Sequence, residues 1–450
     1  MSKQAGHNRR ATGMVEDTTR LLGLRGLAVV EVEDGPDGLV VHLVTADERA
    51  RVCPECGTRA GRSKGRRVTR PRDLQVGGRR PRLVWRKRRW RCDEPGCRRQ
   101  SFTEAVADVP PRERLTRRLR ASAGAAVADR GRTVVQSARD HEVSWPVVAA
   151  AFAAHAVAVL PVEPAPVEVL GIDEIRRGRP KWVFDEVTQT WQSTVDRWHV
   201  GFCDLSSGQG LLGQVEGRNA EVVVGWLGQR EQRWRDGVRF VAIDMCTIFK
   251  SAVRRVLPDA TLVVDHFHLV QLANQTLTEV RRRVTVQVRG RRGRKGNREW
   301  ELRNRLTRSA ARMRAEHVDT LLDELSCLPA AIATPILAAW NAKEDLLDLL
   351  ALARTQPDRE QVARLLYRFY QRCAGSGLPE LDRLASTVQT WWTEILAFLQ
   401  TGITNAGSEG TNRVIKTIAR DAYGFRNPVN QRLRTRCATT RKGRGHLNPR

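Results

Sequence analysis

The 450-residue chain lacks any apolar stretch long enough to cross a bilayer. Its longest, Val147 to Leu160, is alanine-rich and interrupted by His155. It falls short of the ~20 residues a membrane span needs. Nor does Met1 to Gly13 carry the apolar core of a secretory signal. A cytoplasmic location with no membrane partner is therefore expected. Cysteine, at nine, is too sparse for a disulfide scaffold. Cys203, Cys246, Cys327, Cys373 and Cys437 are scattered, as reduced and mostly buried small hydrophobes would be. Acidic charge is short as well, with 50 Asp and Glu against 77 Lys and Arg, a net of +27.

That surplus is concentrated. Arg51 to Gln100 holds 18 basic and 4 acidic residues, and Arg281 to Arg314 holds 14 and 2. Together the two stretches carry nearly all of it. Patches of this size suit a polyanion, most simply nucleic acid, because each Lys or Arg contact with phosphate releases condensed counterions. A generally arginine-rich surface is the plainer alternative.

Five regions follow from the pattern. Residues 1–108 hold a small β element, in which Val29–Glu33 and Leu39–Val44 flank a turn at Asp34-Gly35-Pro36-Asp37-Gly38, and then four spaced cysteines. Residues 109–162 read as helical. Thr133 to Arg139, a turn at Asp140–Val143 and a helix from Ser144 fit a helix-turn-helix DNA-binding unit with Ser144 as N-cap. The second helix is so apolar that a packing or dimerising role is the competing reading. After a linker of Pro161, Pro164 and Pro166, residues 163–271 alternate strands and helices, a mixed α/β pattern. The strands are expected at Val167–Ile172, His199–Asp204, Gly210–Val215, Val238–Ile243 and Thr261–Val264. Residues 272–400 carry helical spacing only, and 401–450 hold one more helix and a basic tail. Phe184 to Trp198 is extra sequence between the first two of these strands, with no assigned role.

Cys53-x2-Cys56 and Cys92-x4-Cys97 form two short chelating pairs, a pattern for a four-sulfur structural Zn2+ site. A redox pair or a chance spacing are the alternatives. Between the pairs, Arg86, Lys87, Arg88 and Arg89 run between Trp85 and Trp90. They form either a phosphate-facing surface or a solvated strand face.

Three acids stand out by placement. Asp173 lies just past Ile172, Asp244 just past Ile243, and Glu409 sits in the first turns of a helix that Thr404 or Asn405 can cap. Taken singly, such acids are usually caps or solvated groups. Neighbouring parallel strand ends, however, bring two aspartates within reach of shared Mg2+ or Mn2+ ions about 3.5–4 Å apart. Such ions activate a water or 3′-hydroxyl and stabilise the leaving oxygen of a phosphodiester. Asp265 and His268, after a further strand, can serve as an extra ligand and a phosphate- or water-positioning group, or be structural.

Five strings carry a family resemblance: Ile172-Asp173-Glu174; Ala242-Ile243-Asp244-Met245; Asp265-His266-Phe267-His268 running on to Asn274; Ser408-Glu409-Gly410-Thr411-Asn412; and Ala422-Tyr423-Gly424-Phe425-Arg426-Asn427. They resemble the ISL-type DDE transposases of zinc-finger-bearing bacterial insertion sequences. The resemblance implies an α/β, ribonuclease-H-like catalytic core interrupted by an all-helical insertion, preceded by a zinc-binding domain and a helix-turn-helix. The 165-residue gap from Asp244 to Glu409 is long enough to hold such an insertion. It also implies Asp173, Asp244 and Glu409 as the metal-binding triad, and cutting and joining of double-stranded DNA at terminal inverted repeats. At least a dimer is expected, since two DNA ends must be joined. Asn412 and Lys416 are then placed to touch the DNA end. Arg291, Arg292, Arg294 and Lys295, interleaved with Gly290, Gly293 and Gly296, read as a flexible phosphate-binding loop or an unstructured linker. A structure-specific nuclease on the same core, such as a resolvase, and a catalytically silent DNA-binding protein are the competing functions.

Overall fold

The computed structural model describes residues 16–446 except Asp37, Asp196 and Lys442. The N-terminal reading over Met1–Gly13 and Asp37 of the first turn therefore lie outside the described residues. The chain divides into two compact units, Met1–Pro161 with Asn427–Ala438, and Val162–Arg426 with Thr439–Arg450.

After a short helical stretch at 16–22, the first unit forms a five-stranded sheet. Strands β1 (Leu27–Gly35), β2 (Gly38–Thr45), β3 (Ser63–Thr69) and β4 (Arg82–Arg91) lie in the order β1-β2-β4-β3, and β5 (Ser101–Thr103) pairs with β4. Alternation along the strands turns Leu27, Val29, Val41, Leu43, Leu83 and Trp85 into one core. Three helices follow: α1 (Arg117–Ala128), α2 (Val134–Asp140) and α3 (Trp145–Val159). The Thr133 side chain and that of Gln136 close a reciprocal capping box that starts α2. Helices α2 and α3 meet at 110° across a short turn. A Cβ on Gly124 of α1 would sit 2.5 Å from the carbonyl oxygen of Ala151, so only glycine allows α1 and α3 to approach this closely. Leu433 and Cys437, from the basic tail after the last expected helix, complete the core of these helices, and Asn427–Ala438 groups with this unit.

The second unit is built on another five-stranded sheet, of mixed α/β type. Strand β6 (Val169–Arg176) is followed by a separate two-stranded hairpin, β7 (Lys181–Asp185) and β8 (Thr190–Val195). Next come β9 (Trp198–Asp204), β10 (Leu211–Glu216), helix α4 (Ala220–Gly228), a short helix α5 (Gln232–Asp236), β11 (Phe240–Ile243), α6 (Thr247–Val256) and β12 (Thr261–Val264). The sheet order is β10-β9-β6-β11-β12: an antiparallel meander of β6, β9 and β10, whose first strand, β6, also pairs in parallel with β11, and β11 with β12. Strand β6 outruns its expected end at Ile172 because antiparallel pairing with β9 continues to Arg176 opposite Trp198. Asp173 therefore lies within a strand, opposite Gly201.

Asp265 caps helix α7 (His266–Arg289), which starts directly after β12 and opens a block of helices. Its larger members are α8 (Ala315–Ser326), α9 (Ala330–Leu350), α10 (Arg359–Gly375), α11 (Pro379–Thr390) and α12 (Trp392–Thr401). One hydrophobic core runs from the sheet (Ile172, Phe202, Ile243, Val263) into this block (Leu277, Ile336, Phe369, Ile395). Helix α13 (Ala406–Asp421) then returns to the sheet. Among the described residues, no single helix is long and apolar enough to cross a membrane.

Candidate active site

Helix α13 reaches the sheet through a glycine. A Cβ on Gly171 would overlap Ser408 Oγ and lie 3.0 Å from Asn405 Oδ1, so the bare backbone of β6 lets the start of α13 settle two residues from Asp173. Asn405 stands at the N-cap, as expected, but its side chain makes no cap bond. Its Nδ2 instead points into the site, 3.4 Å from the Ile172 carbonyl and 3.4 Å from Asp244 Oδ1. Two turns on, Asn412 Nδ2 donates to Asp173 Oδ2 at 2.6 Å. Asn412, expected on the DNA end, is thus a neighbour of the first acid. Asp173 Oδ1 accepts the Glu174 amide at 2.7 Å. Glu174 itself is drawn off by Arg218 Nε at 2.8 Å, which leaves Asp173 as the acid of this pair in the site.

Asp244 follows β11, and its Oδ2 lies 3.2 Å from His268 Nε2. His268 Nδ1 is 3.5 Å from Oδ2 of Asp265, which is 2% exposed. One ligand atom from each of Asp244, Asp265 and His268 fits within a 4.8 Å span, close enough to share a metal ion. Glu409 is half-buried in the first turns of α13, and its charge acts on Asp244.

The electrostatics follow from crowding buried and half-buried acids together. Burial, then the charge of Asp244, pushes the Asp173 carboxyl up to about 7. Asp244 is raised by burial, with repulsion from Asp265 and Glu409 added, while His268 and Asn405 work against the rise. Burial alone would raise Asp265 too, yet the His266 and His268 rings, 3.4 and 3.5 Å away, and the Phe267 amide hold it well below the ordinary carboxylate range. His268 is raised by its bond to Asp265 and, after its own burial is offset, by the surrounding carboxylates. Beside these groups, Asn405 Oδ1 and Ser408 Oγ are buried without a hydrogen-bond partner. Hard oxygen donors that repel one another, together with orphaned acceptors, are the surroundings a divalent cation relieves. The residues fit a metal.

In the first unit, the sulfurs of Cys53, Cys56, Cys92 and Cys97 converge within 4.8 Å. Cys56 and Cys92 are 3.4 Å apart, Cys53 and Cys97 3.9 Å. These spacings bracket the edge of about 3.8 Å that a zinc tetrahedron with ~2.3 Å bonds requires. Hydrogen bonds from the Thr58 side chain and backbone lower the Cys56 thiol to about 6, while Cys92 and Cys97, hydrogen-bonded to their neighbouring thiols, are raised, so the four crowded sulfurs share protons unequally. The cluster fits structural Zn2+. Of the scattered cysteines, Cys203, Cys373 and Cys437 are buried, but Cys327 is exposed.

The basic elements differ from expectation in detail. Strand alternation leaves Arg86 and Arg88 exposed but turns Lys87 inward, 7% exposed, with Nζ 3.6 Å from the Trp85 ring centre; Arg89, opposite a break in the β3–β4 register, is exposed as well. Burial, then the charge of Arg67, lowers the Lys87 ammonium to about 8. Lys87 therefore packs where a phosphate contact was expected. Ser144 stands at the N-cap of α3, but its hydroxyl makes no cap bond. Arg291, Arg292, Arg294 and Lys295 are exposed on a turn that buried Asn297 organises, accepting from Arg291 Nη1 at 3.2 Å and the Arg294 amide at 3.1 Å. That turn is ordered, unlike a free linker. Lys416 is exposed on α13.

Known proteins resemble this chain over most of its length. Residues 170–435 match the model of the ISL3 group of DDE enzymes, described as "Transposase". Residues 49–97 match the "zinc-finger of transposase IS204/IS1001/IS1096/IS1165". The transposase for insertion sequence element IS1001 of Bordetella parapertussis is 25% identical over 426 residues, covering 92% of this chain and 96% of that protein. The Drosophila P element transposase strand transfer complex aligns at TM-score 0.37 and 10% identity, over 73% of this chain and 93% of that one. The class is that of the DNA transposases, enzymes that cut DNA. Within it, the chain belongs to the ISL3 family of zinc-ribbon DDE transposases.

Proposed function

We propose that the second unit is a ribonuclease-H-like core with the helices of 266–401 as its insertion, and that Asp173, Asp244 and Glu409 hold its catalytic Mg2+ or Mn2+. The observation that carries this reading is that the start of α13 meets both aspartates, Asn412 bonding Asp173 and Asn405 reaching Asp244, with Asp265 and His268 grouped beside Asp244. Bound there, divalent ions supply the Lewis acidity that phosphodiester cleavage and joining need. The chain's own groups do the positioning. Asn412 aims Asp173, Asn405 steadies Asp244, and the Asp265–His268 pair sets a donor beside Asp244.

The DNA acted on is the pair of terminal inverted repeats of the chain's own element, with a target duplex. Arg86, Arg88 and Arg89 on one unit, and Arg291, Arg292, Arg294, Lys295 and Lys416 on the other, neutralise backbone phosphates. Helices α2 and α3 act as the helix-turn-helix, with Ser144 and exposed Trp145 at the leading edge of α3. Joining two ends calls for at least a dimer on DNA, and the reaction takes place in the cytoplasm. The test is a duplex bearing the element's end, incubated with Mg2+ and then scored for nicking and for joining to a second duplex. Nicking without joining supports a nuclease instead.

A further inference from the structure

Hairpin β7–β8 stands apart from the main sheet. Its register sets Phe184 opposite Trp191 and Trp182 opposite Ser193, which puts Trp182, Phe184 and Trp191 on one face. Phe184 and Trp191 meet edge to face at 5.5 Å, yet Trp182 is 52% and Trp191 66% exposed. A two-stranded hairpin is marginal by itself, and an aromatic face of this kind left in water marks an interaction site.

Charge selects the occupant. From Arg176 to Arg197 the sequence holds five basic residues, all at the root, against three acids. Two acids, Asp185 and Glu186, lie at the tip, where the Asp185 carboxylate accepts the Val187 amide at 2.9 Å and Gln192 Nε2 at 2.6 Å. The root continues β6 only three residues beyond Asp173. There, Arg176 and Arg218 stack on Trp198 at 4.6 and 4.4 Å. A second copy would bring the same cationic root against itself in a chain of net charge +27. A polyanion with exposed π faces complements both features.

We propose that this hairpin is a base-stacking arm, in which Trp182, Phe184 and Trp191 take unpaired bases of the DNA end while the basic root follows its backbone. The proposal rests on the reading of Asp173 as part of the DNA-cutting site. Stacking on an aromatic side chain is tolerant of sequence and strong enough to hold a strand locally opened at the cut.

The test uses the full chain without Mg2+ and two labelled duplexes carrying the element's end, one fully paired and one with two unpaired thymines at the cut. Fluorescence anisotropy is expected to show the wild type binding the unpaired duplex about tenfold more tightly, the size of one base–aromatic stack. Trp182→Ala/Trp191→Ala is expected to bind the paired duplex as the wild type does and to lose the preference. Trp182→Phe/Trp191→Phe is expected to keep it, which separates stacking from a general loss of fold. A preference that survives the double alanine change, or is missing from the wild type, overturns the proposal. So does conversion of a DNA-free dimer to monomer by that change, which would make a second copy the occupant. Failure of the wild type to bind either duplex over unrelated competitor would instead refute the DNA-end reading on which the arm depends.

Discussion

Asn412 Nδ2 donates to Asp173 Oδ2 at 2.6 Å across 239 residues of chain. This bond ties the helix carrying Glu409 to the strand carrying the first acid. It also gives α13 a functional stripe, with Asn405, Glu409 and Asn412 recurring at helical spacing. Asn412→Ala is expected to weaken Mn2+ binding by about tenfold, as loss of an outer partner of a metal ligand does. Calorimetric titration of Mn2+ checks this, and an unchanged affinity would remove Asn412 from the site.

The elevated Asp173 carboxyl has a pH signature. Unfolded, it releases its proton near the ordinary 3.8, while folded and metal-free it keeps the proton to about 7. The folded state therefore binds more protons between those values, and its stability falls as pH rises through that window. Mn2+ or Mg2+ displaces the proton, so the decline is expected to shrink with metal present. Thermal unfolding from pH 4 to 8 with and without metal tests this. Asp173→Asn should flatten the metal-free slope, and an unaltered slope would assign it to other groups.

Gly171→Ala drives a methyl into Ser408 and against Asn405. Overpacking of this kind costs about 1–3 kcal/mol. Ser408→Gly in the same chain is expected to recover part of that loss. Urea unfolding reads both, and a neutral Gly171→Ala would contradict the close approach of α13.

One Zn2+ per chain is expected by elemental analysis. Cys56→Ser removes one of four sulfur ligands and should lower the bound zinc together with the melting temperature of the first unit. Full zinc occupancy in that variant would exclude the four-sulfur site.

Much of this was legible in the sequence. Strand periodicity located β9, β11 and β12 to within two residues, and cysteine spacing marked a cluster that does converge. What the sequence hid was tertiary. Nothing local shows that Asn405 turns its side chain inward instead of capping α13 with it, because a helix start accommodates both roles. Asn412 read as a contact to the DNA end, since its partner lies 239 positions away. The basic run of β4 suggested a uniform face, whereas alternation buries Lys87 against Trp85. The hairpin of 181–195 stayed unassigned because Phe184 and Trp191 meet across it and its aromatic face is left exposed.

The most direct measurement is Mg2+-dependent nicking at the element's end by the wild type, Asp173→Asn, Asp244→Asn and Glu409→Gln, with DNA binding measured alongside. Each variant is expected to bind DNA normally and to nick more than about 100-fold more slowly, beyond the loss of an outer-shell partner. Wild-type nicking by any of the three would contradict the shared metal site.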